Sequence, residues 1–240
     1  MKGKAAPANR RKVSLGAVCT TVAAKTSEQL AEKAATAFSL GTDLVEFRVD
    51  LLAEIDPPRL ARELARLARK SVLTARRSDE GGGFIGGERE RLALIADLAD
   101  LHPRFLDIEL STVTENPRWF RGLPEGTRKI ISWHDFSGTP TISSLKAVRG
   151  RARRFAETVK IVTTAKTAED SISILELYRR EPRNLIAFCM GVDGVASRVA
   201  SLQFGSPVVY ASLPDEPVAP GQLPVQVVVA LKRIAERVAW

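Results

Sequence analysis

Eight short apolar runs recur along the chain, at Val13–Thr20, Asp43–Asp50, Ser71–Arg76, Arg104–Leu110, Arg128–Trp133, Thr158–Thr163, Asn184–Met190 and Pro207–Ser212. Each is six to eight residues long, which suits strands buried on both faces. Segments with helical period lie between them. Ser27–Leu40 places Leu30, Ala34, Ala37 and Phe38 on one face, with a capping box from Thr26 and Gln29 and a stop at Gly41. Pro58–Arg69 carries Leu60, Leu64 and Leu67, and Glu88–Leu101 carries Leu92, Ile95 and Leu98. Ile142–Ala156, Ala168–Arg180, Val195–Gln203 and Leu223–Trp240 follow, while the segment around Trp119 is short and poorly patterned. Strands that alternate with helices pair in parallel through right-handed crossovers. Eight such units in 240 residues predict an α/β fold of the closed (β/α)8 TIM-barrel type, one domain over 13–240. An open doubly wound sheet is the alternative. No GxGxxG follows the first run, which argues against a dinucleotide site. The cluster Gly81-Gly82-Gly83 and Gly86-Gly87 lacks the Lys-Ser/Thr pair of a P-loop.

The formal charge is +8, and part of it is local. Residues 1–12 contain Lys2, Lys4, Arg10, Arg11 and Lys12 without an acid, which predicts a disordered basic N-terminal arm. No apolar core follows it, so it does not read as a secretory signal, and no run reaches the ~18 apolar residues of a membrane span. Cys19 and Cys189 stand far apart in apolar contexts, which predicts two buried free thiols in a reducing, cytoplasmic compartment. With no CxxC, and only His102 and His134 to supply imidazole, no zinc site is expected. The basic excess fits weak nucleic-acid binding or an anionic small substrate equally well.

In such a barrel the chemistry lies at the C-terminal ends of strands. The polar residues there are Glu46, Arg48 and Asp50 on one face of the second run, then Arg76 with Glu80 in the loop beyond the third. Asp107 and Glu109 mark the fourth, His134 the fifth, Lys160 the sixth and Met190 the seventh. Arg198 follows on the next helix, and Gln222 lies beyond the eighth. Lys160 stands alone in a β-branched run, so it either snorkels at an edge or is retained for its amine. A desolvated lysine among cations becomes nucleophilic toward carbonyls, a histidine moves protons near neutral pH, and arginines bind carboxylate bidentately. Together they point to a keto acid that forms a Schiff base, followed by proton removal at the adjacent carbon and elimination or C–C cleavage. A class I aldolase using Gly191–Gly194 as a phosphate cradle, and a polyanion-binding protein using the arm and the Lys146–Arg154 helix, stand as alternatives.

The ordered set of motifs resembles type I 3-dehydroquinate dehydratase, the Schiff-base lyase of the shikimate pathway. The matching stretches are Glu46-Phe47-Arg48-Val49-Asp50, Arg76 ahead of Glu80-Gly81-Gly82, Asp107-Ile108-Glu109-Leu110, and Ser132-Trp133-His134-Asp135-Phe136 with Thr139-Pro140. They continue through Val159-Lys160-Ile161, Met190 ahead of Ser197-Arg198, Phe204-Gly205-Ser206 and Ala219-Pro220-Gly221-Gln222. The resemblance implies that Lys160 forms an imine with the C3 ketone of 3-dehydroquinate. It implies that His134 takes the C2 proton and assists loss of the C1 hydroxyl, with Glu80 orienting His134. Arg198 and Gln222 would hold the substrate carboxylate; Glu46, Arg48 and Arg76 would meet ring hydroxyls; Met190 and Tyr210 would pack the ring. It implies no metal or external cofactor, syn loss of water, a homodimer, and no specific nucleic-acid or membrane partner. The sequence departs from the family where Val218 replaces a frequent serine, Phe188 a frequent methionine and Tyr210 a frequent phenylalanine. The 214–222 loop reads as a lid, and its Asp215 and Glu216 are unexpected beside an anion unless they face solvent.

Overall fold

The computed structural model describes residues 15–179 and 184–238; the basic arm expected at 1–12 lies outside them. Eight parallel strands form: β1 (Ala17–Val22), β2 (Leu44–Arg48), β3 (Ser71–Thr74), β4 (Phe105–Glu109), β5 (Lys129–His134), β6 (Thr158–Thr164), β7 (Leu185–Met190) and β8 (Val208–Ser212). Each strand from β1 to β7 is laddered to its sequence neighbour, and β8 returns to pair with β1 over Ala17–Thr21 and Val208–Ser212. That return decides for the barrel, because a doubly wound sheet reverses its strand order midway. β7 and β8 meet through the rings of Phe188 and Tyr210, 6.2 Å apart, and the loops that follow them are joined by Gly191 N–H donating to Pro220 O at 3.3 Å.

The connectors are α1 (Ser27–Ser39), α2 (Pro57–Leu64), α3 (Glu88–Asp100), α4 (Leu110–Glu115), α5 (Pro117–Gly122), α6 (Ile142–Ala152), α7 (Ala168–Leu175), α8 (Val195–Gln203) and α9 (Val225–Val238). Thr26 Oγ1 caps α1 by accepting from Gln29 N–H at 3.3 Å, but Gln29 Oε1 reaches Lys25 N–H, one residue beyond the expected partner. Gly41 ends the helix at φ +95°, a conformation that glycine adopts without steric cost. Several expected elements are shorter than their patterns. β2 stops at Arg48 because Val49–Leu51 tightens into a 3-10 turn, and α2 and α7 give way to such turns at Ala68–Lys70 and Glu176–Tyr178. The segment around Trp119 divides into α4 and α5, and Pro117 starts the second, where its missing N–H is tolerated.

Period 2 sorts each strand into two faces. Outward residues such as Val45, Phe47, Leu73, Ile108, Val159 and Ile161 pack against Leu30, Leu60, Ile95 and Leu145 of the helices. Inward residues form layers. Leu44, Val72, Phe105, Ile130, Ile186 and Val208 belong to one apolar cluster inside the barrel. Two residues further along β2 to β5 the inward positions turn polar, at Glu46, Thr74, Asp107 and Ser132, and Lys160 of β6 joins them; all five are buried. Burying a large apolar side chain contributes about 1.5–3 kcal/mol, so a polar layer here forgoes stability and marks a site. One helix face differs from its sequence pattern. Leu92 of α3 is only half-buried, and Arg91, 2% exposed, takes the inner position instead.

Candidate active site

Lys160 does not snorkel: it is 5% exposed, with Val159 and Ile161 directed into the outer core. Its Nζ donates to Asp107 Oδ2 at 3.0 Å and to Glu46 Oε1 at 3.4 Å, and lies 4.2 Å from the centre of the Tyr210 ring. The expected cationic surroundings are thus corrected, since the nearest charges are two carboxylates. Arginine enters one step out. Arg76 NH2 donates to Asp107 Oδ1 at 2.8 Å, and its NH1 donates to Ser132 Oγ at 2.6 Å and Glu109 Oε1 at 3.1 Å. Burial favours the neutral acid of Asp107, but Arg76 and Lys160 outweigh it and hold the carboxyl well below the usual range. Glu46 is fixed by Thr21 Oγ1 at 2.8 Å and Thr74 Oγ1 at 3.0 Å.

His134 closes β5, two residues beyond Ser132, which lies in register with Lys160. Its Nδ1 is 3.1 Å from Glu80 Oε2, and Ser111 Oγ donates to the other Glu80 oxygen at 2.9 Å. Burial first, then Arg76 and Lys160, push the imidazole pKa well below 6.5, so the ring is neutral at pH 7. Burial pushes Glu80 up to about 7, against the pull of Arg76. An ionised Glu80 accepts the Nδ1 proton and leaves Nε2 as the basic atom. The glycine cluster makes this approach possible. Gly81 has φ +77°, and a Cβ there would sit 2.4 Å from the Phe136 ring; at Gly82 it would sit 2.0 Å from Arg76 O. Phe136 in turn stacks on His134, with centroids 6.3 Å apart.

The opposite wall binds differently. Arg198 on α8 is 4% exposed, lies 4.3 Å over the Phe188 ring and donates NH2 to Pro220 O at 3.0 Å. Its Nε has no hydrogen-bond partner, and among the described residues it has no ion pair. Burial pushes its pKa down to about 10, with Cys189 opposing weakly. A buried guanidinium without a counterion is a costly arrangement that an anionic ligand relieves. Gln222 orders the loop after β8: its Oε1 accepts from Val218 N–H at 2.7 Å and Ala219 N–H at 3.1 Å, while Nε2 donates to Thr21 Oγ1 at 3.3 Å. Asp215 and Glu216 in that loop are both exposed, and Glu216 pairs with Lys33 of α1, which resolves the two unexpected acids.

One cavity of about 110 Å³, partly open to solvent, is lined by all ten of the sequence-predicted residues, Glu46, Arg48, Arg76, Glu80, His134, Lys160, Met190, Arg198, Tyr210 and Gln222. Arg48 sits at its rim, clamped to Asp50 at 2.9 and 2.7 Å. Sequence reasoning gave no role to Thr21, Ser132, Phe136 or Asp107. Asp107 stood out as an acid spaced by two from Glu109 in an apolar run, the pattern that exposed Glu46; Ser132 and Phe136 appeared only as members of the stretch around His134, and Thr21 had no signal. Among the described residues, no group of three or more His, Cys, Asp or Glu is placed to hold a metal ion.

The chain matches known proteins along most of its length. A family profile described as type I 3-dehydroquinase matches residues 18–237. A 3-dehydroquinate dehydratase of Methanothermobacter thermautotrophicus is 31% identical over 210 residues, covering 88% of this chain and 93% of that protein. One from Pyrococcus abyssi is 34% identical over 207 residues, covering 86% and 92%. The crystal structure of 3-dehydroquinate dehydratase from Geobacillus kaustophilus superposes with a TM-score of 0.82 at 27% identity, covering 94% of this chain and 93% of that one. With its barrel and these relatives agreeing, the chain belongs to the type I 3-dehydroquinase family.

Proposed function

We propose that this chain dehydrates 3-dehydroquinate to 3-dehydroshikimate in the shikimate pathway, through an imine on Lys160. The observation that carries the reading is a buried amine between two carboxylates, one inward position below a neutral imidazole. The Lys160 ammonium releases a proton and its amine adds to the C3 ketone; that proton then joins the carbinolamine hydroxyl, which leaves as water and leaves a protonated imine. Asp107 and Glu46 now face an iminium in place of an ammonium, so the local charge balance is kept. The iminium acidifies C2, and His134 Nε2 takes the C2 proton while the electron pair moves into an enamine. The enamine expels the C1 hydroxyl, which leaves as water with the proton held on His134, giving the C1–C2 double bond by syn elimination. Water then hydrolyses the imine, releasing product and free Lys160. The electron sink is the iminium that this chain's own lysine forms.

Arg198 and Gln222 take the substrate carboxylate, Met190 and Tyr210 pack the ring, and Glu46, Arg48 and Arg76 face its hydroxyls. The aldolase alternative lacks support, because its phosphate cradle is already engaged. Gly191 N–H donates to Pro220 O and Gly194 N–H to Gly191 O at 3.1 Å. A cytoplasmic homodimer belongs to the same reading, and light scattering measures the dimer directly. Borohydride added with 3-dehydroquinate tests the central step. It should fix a reduced adduct on the peptide that carries Lys160. Full activity recovered with Lys160 unmodified sinks the reading.

The lone guanidinium gives a second expectation with two signs. Arg198→Met should raise KM by roughly 30-fold or more, the loss of a charge-assisted contact worth about 2 kcal/mol or above. The same change removes a buried charge without a counterion, so the free protein should melt at an equal or higher temperature. Steady-state kinetics and a thermal melt read the two. An unchanged KM would remove Arg198 from the carboxylate site.

A further inference from the structure

The active lysine is the inner end of a charge chain that begins on the outside of the barrel. Lys160 Nζ holds Asp107 Oδ2 at 3.0 Å, and Arg76 holds Asp107 Oδ1 at 2.8 Å. Arg76 also holds Glu109 Oε1 at 3.1 Å, and the other Glu109 oxygen accepts from Arg91 NH1 at 3.0 Å. Arg91 comes from α3, outside the strands, yet it is 2% exposed. Its NH1 also donates to Ala75 O at 2.7 Å and its NH2 to Thr112 Oγ1 at 2.6 Å. Its outer edge is clamped by Glu88 through Nε and NH2, both at 2.8 Å, and Glu88 is partly exposed. Signs alternate along the whole path: Asp107 is held between Lys160 and Arg76, Glu109 between Arg76 and Arg91, and both Glu88 oxygens lie on Arg91.

A guanidinium in an inner helix position costs helix and core stability that an apolar residue there would supply. Its placement is explained if the charge is used. Glu109 has two claims on it, Arg91 and Arg76, and Arg76 has two acids to serve. With Arg91 present, Glu109 is neutralised from outside and Arg76 is free to bind Asp107. Asp107 is then shared between Arg76 and the lysine, and its hold on the ammonium is weakened. Without Arg91, Glu109 draws Arg76 toward itself, and Asp107 is left to the ammonium alone.

We propose that Arg91 is a positioning residue for Lys160, acting through Glu109, Arg76 and Asp107 to set how readily the ammonium gives up its proton. This rests on Lys160 being the imine-forming amine. The groups that face Lys160 are Glu46 from β2, Asp107 from β4, His134 from β5, Tyr210 from β8, the Cys19 thiol from β1 and Arg76 beyond β3. Around Arg91 stand Glu88, Glu109, the Thr112 hydroxyl, and Arg77, which is 4.0 Å from Glu88 and itself bound to Asp79 and Glu115. None of the α3 variants below alters any group that touches Lys160.

The test is the pH dependence of reductive methylation of Lys160 in the full chain by formaldehyde and cyanoborohydride, read by peptide mass spectrometry. Only the neutral amine reacts, and no substrate or His134 chemistry enters. Arg91→Met should move the half-maximal rate up by roughly one pH unit, the scale of one nearby charge removed. Arg91→Lys should restore most of the wild-type profile. Glu88→Gln frees more of the Arg91 charge for Glu109 and should move the profile down, by about a third of a unit because Glu88 is partly screened. Glu88→Gln changes only the outer end and carries the test by itself if Arg91→Met fails to fold. Profiles that coincide, or that shift in the same direction for both variants, overturn the relay. If 3-dehydroquinate and borohydride still mark Lys160 in the wild type, the Schiff-base reading survives that failure; if they do not, both fall.

Discussion

Lys160→Met should lower kcat by between about 10⁴ and 10⁶, the range seen when a covalent nucleophile is removed. The loss is that large because, among the described residues, no other amine lines the cavity. The remaining inward residues at its level are Glu46, Thr74, Asp107 and Ser132, and none forms an imine. The substitution also leaves two buried acids without their shared cation. Asp107 keeps Arg76 and Ser132, and Glu46 keeps two threonine hydroxyls, so the fold should survive with a penalty of about 3 kcal/mol. Lys160→Arg separates the two effects. It keeps a cation between the acids and so should recover stability, yet its guanidinium does not add to ketones, so activity should stay lost. A thermal melt beside an assay of the conjugated enone product reads both. Appreciable turnover in either variant would show that the amine is not the nucleophile.

The barrel was legible because its eight strands are buried on both faces and therefore stand out as short apolar runs. The polar inner layer was legible for the same reason, since Glu46 and Lys160 interrupt those runs. What the sequence left out follows from geometry that has no local signature. Thr21 is an ordinary strand residue until β2 brings Glu46 to it. Arg91 was passed over because a helix pattern reads arginine as solvent-facing, so the face was placed on Leu92; the buried Glu109 that draws Arg91 inward is on another element. The cation expected beside Lys160 stands one step out instead, because Arg76 spends its charge on Asp107 and Glu109. Glycine counts located the Gly81-Gly82 loop without its purpose, which depends on Phe136 and the Arg76 carbonyl closing against it.

His134→Ala should lower kcat by about 10²–10⁴, the usual contribution of one positioned general acid–base group, while borohydride still traps substrate on Lys160. In the proposed reaction, imine formation needs the amine and the carboxylates around it, whereas removal of the C2 proton needs Nε2. The adduct should therefore accumulate ahead of a blocked step. The pH dependence of the wild type separates the two partners of the pair. His134 is neutral far below its ordinary pKa, so its own protonation does not limit the rate near neutrality. Glu80 titrates at about 7. Above that value its carboxylate accepts the Nδ1 proton and Nε2 is free to act as base. Below it, a protonated Glu80 donates to Nδ1, the ring proton moves to Nε2, and the base is lost. Activity should therefore rise with pH through about 7. Glu80→Gln keeps an oxygen acceptor for Nδ1–H but has no proton to release, so that rise should disappear while kcat on the alkaline side falls only modestly. A rise that persists unchanged in Glu80→Gln would assign the limb to another group and leave Glu80 with no part in setting the tautomer.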